Sequence, residues 1–169
     1  LGNSIQNETA AFYTEKNTLT EIYNQLPHIC KDEIRILEPA VGTGNFIPFI
    51  AKRYECCAKV IIDVCDINKT SLKILKILIY KMRLPSNIHI NYINDDFILR
   101  NFQTRYDLII GNPPFLKLSS NELLNKYRKI TGDFSSNNTS AFFLDKALNM
   151  ADNVVIIVPK YFLHNTDFS

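Results

Sequence analysis

The sequence predicts an α/β domain built on a parallel sheet with right-handed crossovers. Three observations lead there. Strand-like and helix-like segments alternate along almost the whole of the 169 residues. The run Leu108 to Gly111 is short, apolar and stopped by two prolines, as befits a strand buried in mid-sheet. Finally, Glu38, Asp66, Asp95, Asp96, Asn112 and Pro159 each fall at the end of a strand candidate. Open parallel sheets hold ligands outside the carboxyl ends of their strands, at the switch in strand order.

Taken in order, residues Ser4 to Gln25 read as a polar lead-in followed by a helix. Phe12, Leu19, Ile22, Tyr23 and Leu26 have partly helical spacing, Thr18 can cap the second part, and Pro27 ends it. The first strand, Glu33 to Glu38, runs directly into Pro39-Ala40-Val41-Gly42-Thr43-Gly44. A helix over Phe46 to Arg53 follows, with Asn45 or Thr43 as N-cap and Pro48 tolerated in its first turn. The second strand, Lys59 to Cys65, closes on Asp66. Asn68 then caps a long helix to Leu84, with Leu72, Leu75, Ile79 and Met82 as its apolar stripe and Pro85 as its stop. Ile88 to Ile93 alternates as a third strand and ends in Asn94-Asp95-Asp96-Phe97. After an irregular connection and the fourth strand, Leu116 to Asn137 is polar and weakly periodic, which predicts a long loop carrying one short helix. Ser140 to Ala151 reads as a helix with Phe143, Ala147 and Met150 inward, and Asn153 to Val158 as a fifth strand broken by Pro159.

Composition narrows the function classes. A net charge of +2 is too small to argue nucleic-acid binding by itself. No apolar run has the length of a membrane span. Cys30, Cys56, Cys57 and Cys65 have no C-x-x-C spacing, which argues against zinc and for a reduced, cytoplasmic protein with buried thiols. His28, His89 and His164 are scattered, so Ser-His-Asp or Cys-His hydrolysis has no support. The triplet Asn138-Thr139-Ser140 carries no meaning as a glycosylation site in such a protein. Lys126, Arg128 and Lys129 read as a solvated basic face.

The chemistry concentrates at Asn112-Pro113-Pro114-Phe115. Asn112 offers a donor and an acceptor, the Pro113 carbonyl is held in extended geometry by Pro114, and Phe115 supplies a flat apolar face. Two fixed acceptors beside a stacking platform suit a planar group bearing an amino nitrogen. Gly42-Thr43-Gly44 lets backbone approach a ligand, while the missing third glycine and the carboxylate of Glu38 argue against a pyrophosphate and for a cationic amino acid or sulfonium. Asp66 follows Gly44 at close to the roughly 20-residue spacing at which an acidic residue meets a ribose. Asp95 or Asp96, beside Phe97, can accept from an adenine amino group under the cover of that ring. Aromatic residues in Ser140-Ala141-Phe142-Phe143 are read as core before cofactor wall.

These motifs in this order resemble the catalytic region of S-adenosylmethionine-dependent DNA adenine-N6 methyltransferases, in the gamma arrangement, over nearly the whole chain. Phe12-Tyr13-Thr14 resembles the segment that approaches the methionine moiety, with Glu15 where the family has proline. Ile36 to Phe46 resembles the cofactor loop, Asp66 the ribose carboxylate, Asp95-Asp96-Phe97 the adenine-contact segment with Asp96 the better aligned, and Asn112-Pro113-Pro114-Phe115 the catalytic tetrapeptide. Phe143 to Ala147 and Val155 to Pro159 resemble the two segments that follow.

The resemblance implies a Rossmann-like methyltransferase sheet, mostly parallel with helices on both faces, truncated after the fifth strand. Residues 1–30 are then a helical lead-in, and 31–169 an incomplete catalytic domain without its target-recognition region. It implies S-adenosylmethionine held by Thr14, Glu38, Pro39, Ala40, Gly42, Gly44, Asp66, Ile67, Asp96, Phe97, Asn112 and Phe143, with Asn112, Pro113, Pro114 and Phe115 catalytic. The implied partners are double-stranded DNA with a flipped adenine and a cognate restriction endonuclease, with no membrane. The same tetrapeptide serves methyltransferases of RNA guanine and of protein glutamine, and a non-catalytic cofactor- or nucleic-acid-binding fragment is the third reading.

Overall fold

A computed structural model describes residues 16–132 and 135–158. Its five strands form one parallel sheet in the order β3-β2-β1-β4-β5. They are β1 (Glu33–Pro39), β2 (Lys59–Asp66), β3 (Ile88–Asn94), β4 (Tyr106–Gly111) and β5 (Ala151–Ile156). The helices are α1 (Lys16–Gln25), α2 (Ile47–Arg53), α3 (Lys69–Met82), α4 (Asn121–Thr131) and α5 (Thr139–Met150). Chain order reverses between β1 and β4, so the switch point lies where the sequence puts its unusual residues.

Alternation along the strands builds two cores. Ile34 and Ile36, Val60, Ile62 and Val64, and Leu108 and Ile110 face α1, α2 and α3 through Ile22, Leu26, Ile47, Ile50, Leu72 and Leu75. Leu37, Cys65 and Ile109 face the other way, onto Leu124 and Tyr127 of α4 and Phe142, Phe143 and Ala147 of α5. The sheet is therefore covered on both faces, and β4, between β1 and β5, is buried at every position.

Element bounds shift in places. Asn68 does cap α3, accepting from Thr70 and Ser71 backbone N–H groups. The helix ends earlier than Pro85 requires, because Arg83 takes a left-handed conformation (φ 49°). Met82 lies outside the buried stripe. Neither Asn45 nor Thr43 caps α2: its N-cap is Phe46, which makes no side-chain cap bond. The last helix and strand each begin before their expected starts, at Thr139 and Ala151, and Pro159 lies outside the described residues. The thiols are also not uniformly buried, since Cys30 and Cys56 are exposed and Cys65 alone is fully buried. Among the described residues no helix is long and apolar enough to cross a membrane.

Candidate active site

The β1–α2 loop is shaped by backbone that few residues tolerate. Ala40 (φ 54°), Gly42 (φ 56°) and Gly44 (φ 77°) are all left-handed. Gly44 has a second constraint, since a Cβ there would lie 2.4 Å from Leu75 Cδ1. Gly42 has no neighbour within 4 Å of that position and opens onto free space. At the head of the loop Glu38 is 1 % exposed, and its Oε2 is buried with no hydrogen-bond partner. Burial, reinforced by the charge of Asp66, holds its carboxyl well above the usual range.

Asp66 ties the loop to β2. Its Oδ2 accepts from Gly42 N at 2.8 Å and its Oδ1 from Asn68 N at 2.7 Å. Each carboxylate oxygen has two acceptor positions, so both retain one. Ile67 beside it is 74 % exposed, an unusual place for a large apolar side chain. At the end of β3, Asp95 pairs with Arg100 at 2.9 Å. Asp96 Oδ1 accepts from Ile98 N and Leu99 N at 2.8 and 3.2 Å, and its Oδ2 accepts from the Tyr127 hydroxyl at 2.6 Å. The sequence leaves this carboxylate open for a ligand; in the fold three protein donors already hold it. Phe97 packs against Phe143 with ring centroids 4.9 Å apart.

The fourth strand delivers Asn112 to the switch point. Gly111 passes so close to β1 that a Cβ on it would lie 3.0 Å from the Pro39 carbonyl oxygen. Asp107, at the other end of β4, bonds Lys31 and accepts from Arg35 N at 2.8 Å, which anchors β4 to β1. Beyond Asn112 the chain is clamped from α5. The Thr139 hydroxyl lies 2.5 Å from the Pro114 carbonyl and 3.1 Å from both the carbonyl and the N–H of Leu116, and Thr139 N donates to Leu116 O at 2.9 Å. Asn138 is the N-cap of α5 and accepts from Ser140 N. The triplet set aside in the sequence is thus a helix start, and the cap signature of Asn before a helical run was its readable sign.

These pieces meet in one open cleft of about 430 Å³, its mouth included. Of the residues singled out in the sequence as ligand contacts it is lined by Ala40, Asp66, Ile67, Asp95, Asp96, Phe97, Pro114 and Phe143. Glu38, Pro39, Gly42, Gly44, Asn112, Pro113 and Phe115 are not among its lining residues, although Gly42 bonds Asp66 and the tetrapeptide continues into Pro114. Thr14 lies outside the described residues. Tyr127 and Thr139 line the cleft without having been anticipated. In the basic cluster Lys126 pairs with Glu122 of its own helix at 2.7 Å, and Arg128 donates to the Ser136 carbonyl at 3.3 Å.

Comparison with known proteins places this architecture. The sequence model described as Eco57I restriction-modification methylase matches residues 45–168. The type II methyltransferase M.VspI of Vibrio sp. (strain 343) is 26% identical over 156 residues, covering 90% of this chain and 37% of its own. A Methanocaldococcus jannaschii protein that carries the name of a protein N5-glutamine methyltransferase, MJ0928, is 32% identical over 98 residues, 58% of this chain and 45% of its own. The chain thus spans less than half the length of these curated relatives. Among solved structures, a Listeria monocytogenes protein described as a class I S-adenosylmethionine-dependent methyltransferase superposes with a TM-score of 0.64 at 17% identity, over 89% of this chain and 45% of that one. The methyltransferase subunit of a type I restriction-modification system from Streptococcus thermophilus gives 0.62 at 17% identity, over 90% and 35%. The five-stranded parallel sheet is that of the class I S-adenosylmethionine-dependent methyltransferases.

Proposed function

The chain belongs to the Eco57I restriction-modification methylase family, and from that premise we propose that it transfers a methyl group from S-adenosylmethionine to the N6 amino group of adenine in DNA. The observation that carries this reading is the convergence of Asp66, Asp96 and Pro114 on one cleft at the β1/β4 switch point, with Glu38 buried at the head of the β1–α2 loop. The residues fit the cofactor on their own chemistry. Glu38 Oε2 lacks a hydrogen-bond partner, and a buried carboxyl in that state favours a cationic, hydrogen-bonding ligand.

When bound, S-adenosylmethionine supplies a methyl group activated on a sulfonium sulfur. The chain's residues do the rest. Glu38 holds positive charge near Pro39, Ala40, Gly42 and Gly44. Asp66 offers its two remaining acceptor positions to ribose hydroxyls. Ile67, Phe97 and Phe143 give the base an apolar slot, and Asp96 accepts from its amino group. Asn112 Oδ1 and the Pro113 carbonyl accept the two hydrogens of the target amino nitrogen, keep its lone pair out of ring conjugation and aim it into the cleft. Pro114 keeps that turn rigid, and Phe115 stacks on a base flipped out of the duplex. The work is positioning by fixed dipoles, with no general base required. Thr14 joins the methionine end in this scheme, double-stranded DNA is the partner substrate, and a cognate restriction endonuclease completes the system.

A second reading has support of its own, in the 32% identity to the protein named for N5-glutamine methylation. A glutamine amide presents the same planar nitrogen to the same two acceptors. Incubation with methyl-labelled cofactor and, in parallel, plasmid DNA, RNA and a glutamine-bearing protein substrate separates the readings. Label in DNA alone supports the first; label in protein alone overturns it.

A further inference from the structure

Tyr127 lies in a helix whose sequence gives no sign of a site. Residues Asn121–Thr131 form an amphipathic helix with few apolar residues, and Leu124 and Tyr127 are the residues of α4 that are buried. The helix is fixed at both ends: Ser120 caps its start and Gly132, at φ 82°, closes it by donating to Arg128 O at 2.8 Å. Within it the Tyr127 ring is pinned edge-on against Phe142, centroids 5.5 Å apart at 77°. The hydroxyl donates to Asp96 Oδ2 at 2.6 Å, and both residues line the cleft.

The donor count at Asp96 decides what it can still recognise. Oδ1 is filled by the N–H groups of Ile98 and Leu99. An ionised carboxylate only accepts, and each oxygen takes two donors. The Tyr127 hydroxyl uses one position on Oδ2 and leaves one. Burial, with the hydrogen bond and charge of Asp96 adding, pushes the phenol well above its ordinary range, so it stays a donor.

We propose that Tyr127 sets the base preference of the cofactor cleft: its hydroxyl holds the Asp96 carboxylate so that a single acceptor position on Oδ2 faces a purine amino group. The inference rests on the reading of this cleft as the adenosine site and deepens it. Tyr127 is a positioning residue, acting through Asp96. A purine with a carbonyl oxygen in place of the amino group meets a carboxylate that cannot turn away, and is refused.

The test is calorimetric titration of the protein with S-adenosylhomocysteine and with S-inosylhomocysteine, whose base carries the carbonyl. The unsubstituted protein prefers the adenine form. In Tyr127→Phe, which keeps the ring against Phe142, that preference narrows by about five- to tenfold, the upper range of one ordinary hydrogen bond. An unchanged preference, or tighter binding of S-adenosylhomocysteine by a freed Asp96, overturns the inference. Asp96→Ala, which removes the acceptor altogether, separates the two levels of the claim. If it leaves the preference intact, the adenosine reading of Asp96 itself fails. If it removes the preference while Tyr127→Phe does not, only the role of Tyr127 fails. Should Tyr127→Phe fold poorly, the crystal structure of the unsubstituted protein with S-adenosylhomocysteine decides. A phenol still bonded to Asp96 beside the base amino group supports the inference, and a displaced phenol overturns it.

Discussion

Glu38 carries a carboxyl that the fold removes from water while leaving Oε2 without a hydrogen bond. Its raised folded-state pKa has a stability consequence of definite sign. In the unfolded chain a glutamate ionises near about pH 4.3. Below that value the group is protonated in both states and adds no pH dependence; as pH rises towards the higher folded value, ionisation favours the unfolded chain and stability is lost. Glu38→Gln should therefore flatten the fall in denaturant midpoint above about pH 4 and weaken S-adenosylmethionine binding, because the ligand loses its counter-charge. Melts across a pH series with parallel titrations check both. A variant with the original pH slope and the original affinity contradicts the account. The same residue predicts that the affinity of the unsubstituted protein for the cofactor rises with pH while Glu38 passes from neutral to ionised.

At the scale of elements, the first turn of α5 supports the turn that follows β4. The Thr139 side chain touches the backbone of Pro114 and Leu116, residues more than twenty positions earlier in the chain. Thr139→Val keeps the shape and the Thr139 N–H bond but deletes the hydroxyl. It should cost about 1 kcal/mol in denaturation and lower kcat more than cofactor affinity, since the tetrapeptide loosens while the loop after β1 does not. Equal losses in both would place the effect elsewhere. On the opposite flank, Gly44→Ala adds a left-handed Cβ against Leu75 Cδ1. The strain and overpacking should destabilise the protein by about 1–3 kcal/mol, read from the same denaturation curves.

For the whole molecule, the doubly covered parallel sheet was legible in the sequence because each strand ended on a residue with a reason to be there. Glu38, Asp66, Asp96 and Asn112 mark four strand ends, and the neighbour relation of β1 and β4 follows from the same architecture. Other features were not legible, for a physical reason. The bond from Tyr127 to Asp96 spans 31 residues and the Thr139 clamp more than twenty, so neither leaves a local period or spacing. The α2 start was misread because the loop geometry of Gly42 and Gly44, with Phe46 as N-cap, sets it without a capping side chain. At this scale the cleft also predicts linkage. Ligand at one hundred times its Kd should add about 2.7 kcal/mol to stability, a rise in Tm of roughly 5–10 °C for a protein of this size.

The central claim is that the turn Asn112-Pro113-Pro114-Phe115 presents adenine N6 to the cofactor. The most direct measurement is mass spectrometric analysis of nucleosides from DNA incubated with S-adenosylmethionine and either the unsubstituted protein or Asn112→Ala. The account predicts N6-methyladenine as the product, formed on the order of 10²–10³ more slowly by the variant. Near-equal rates for the two proteins, or a methylated nucleoside other than N6-methyladenine, would contradict it.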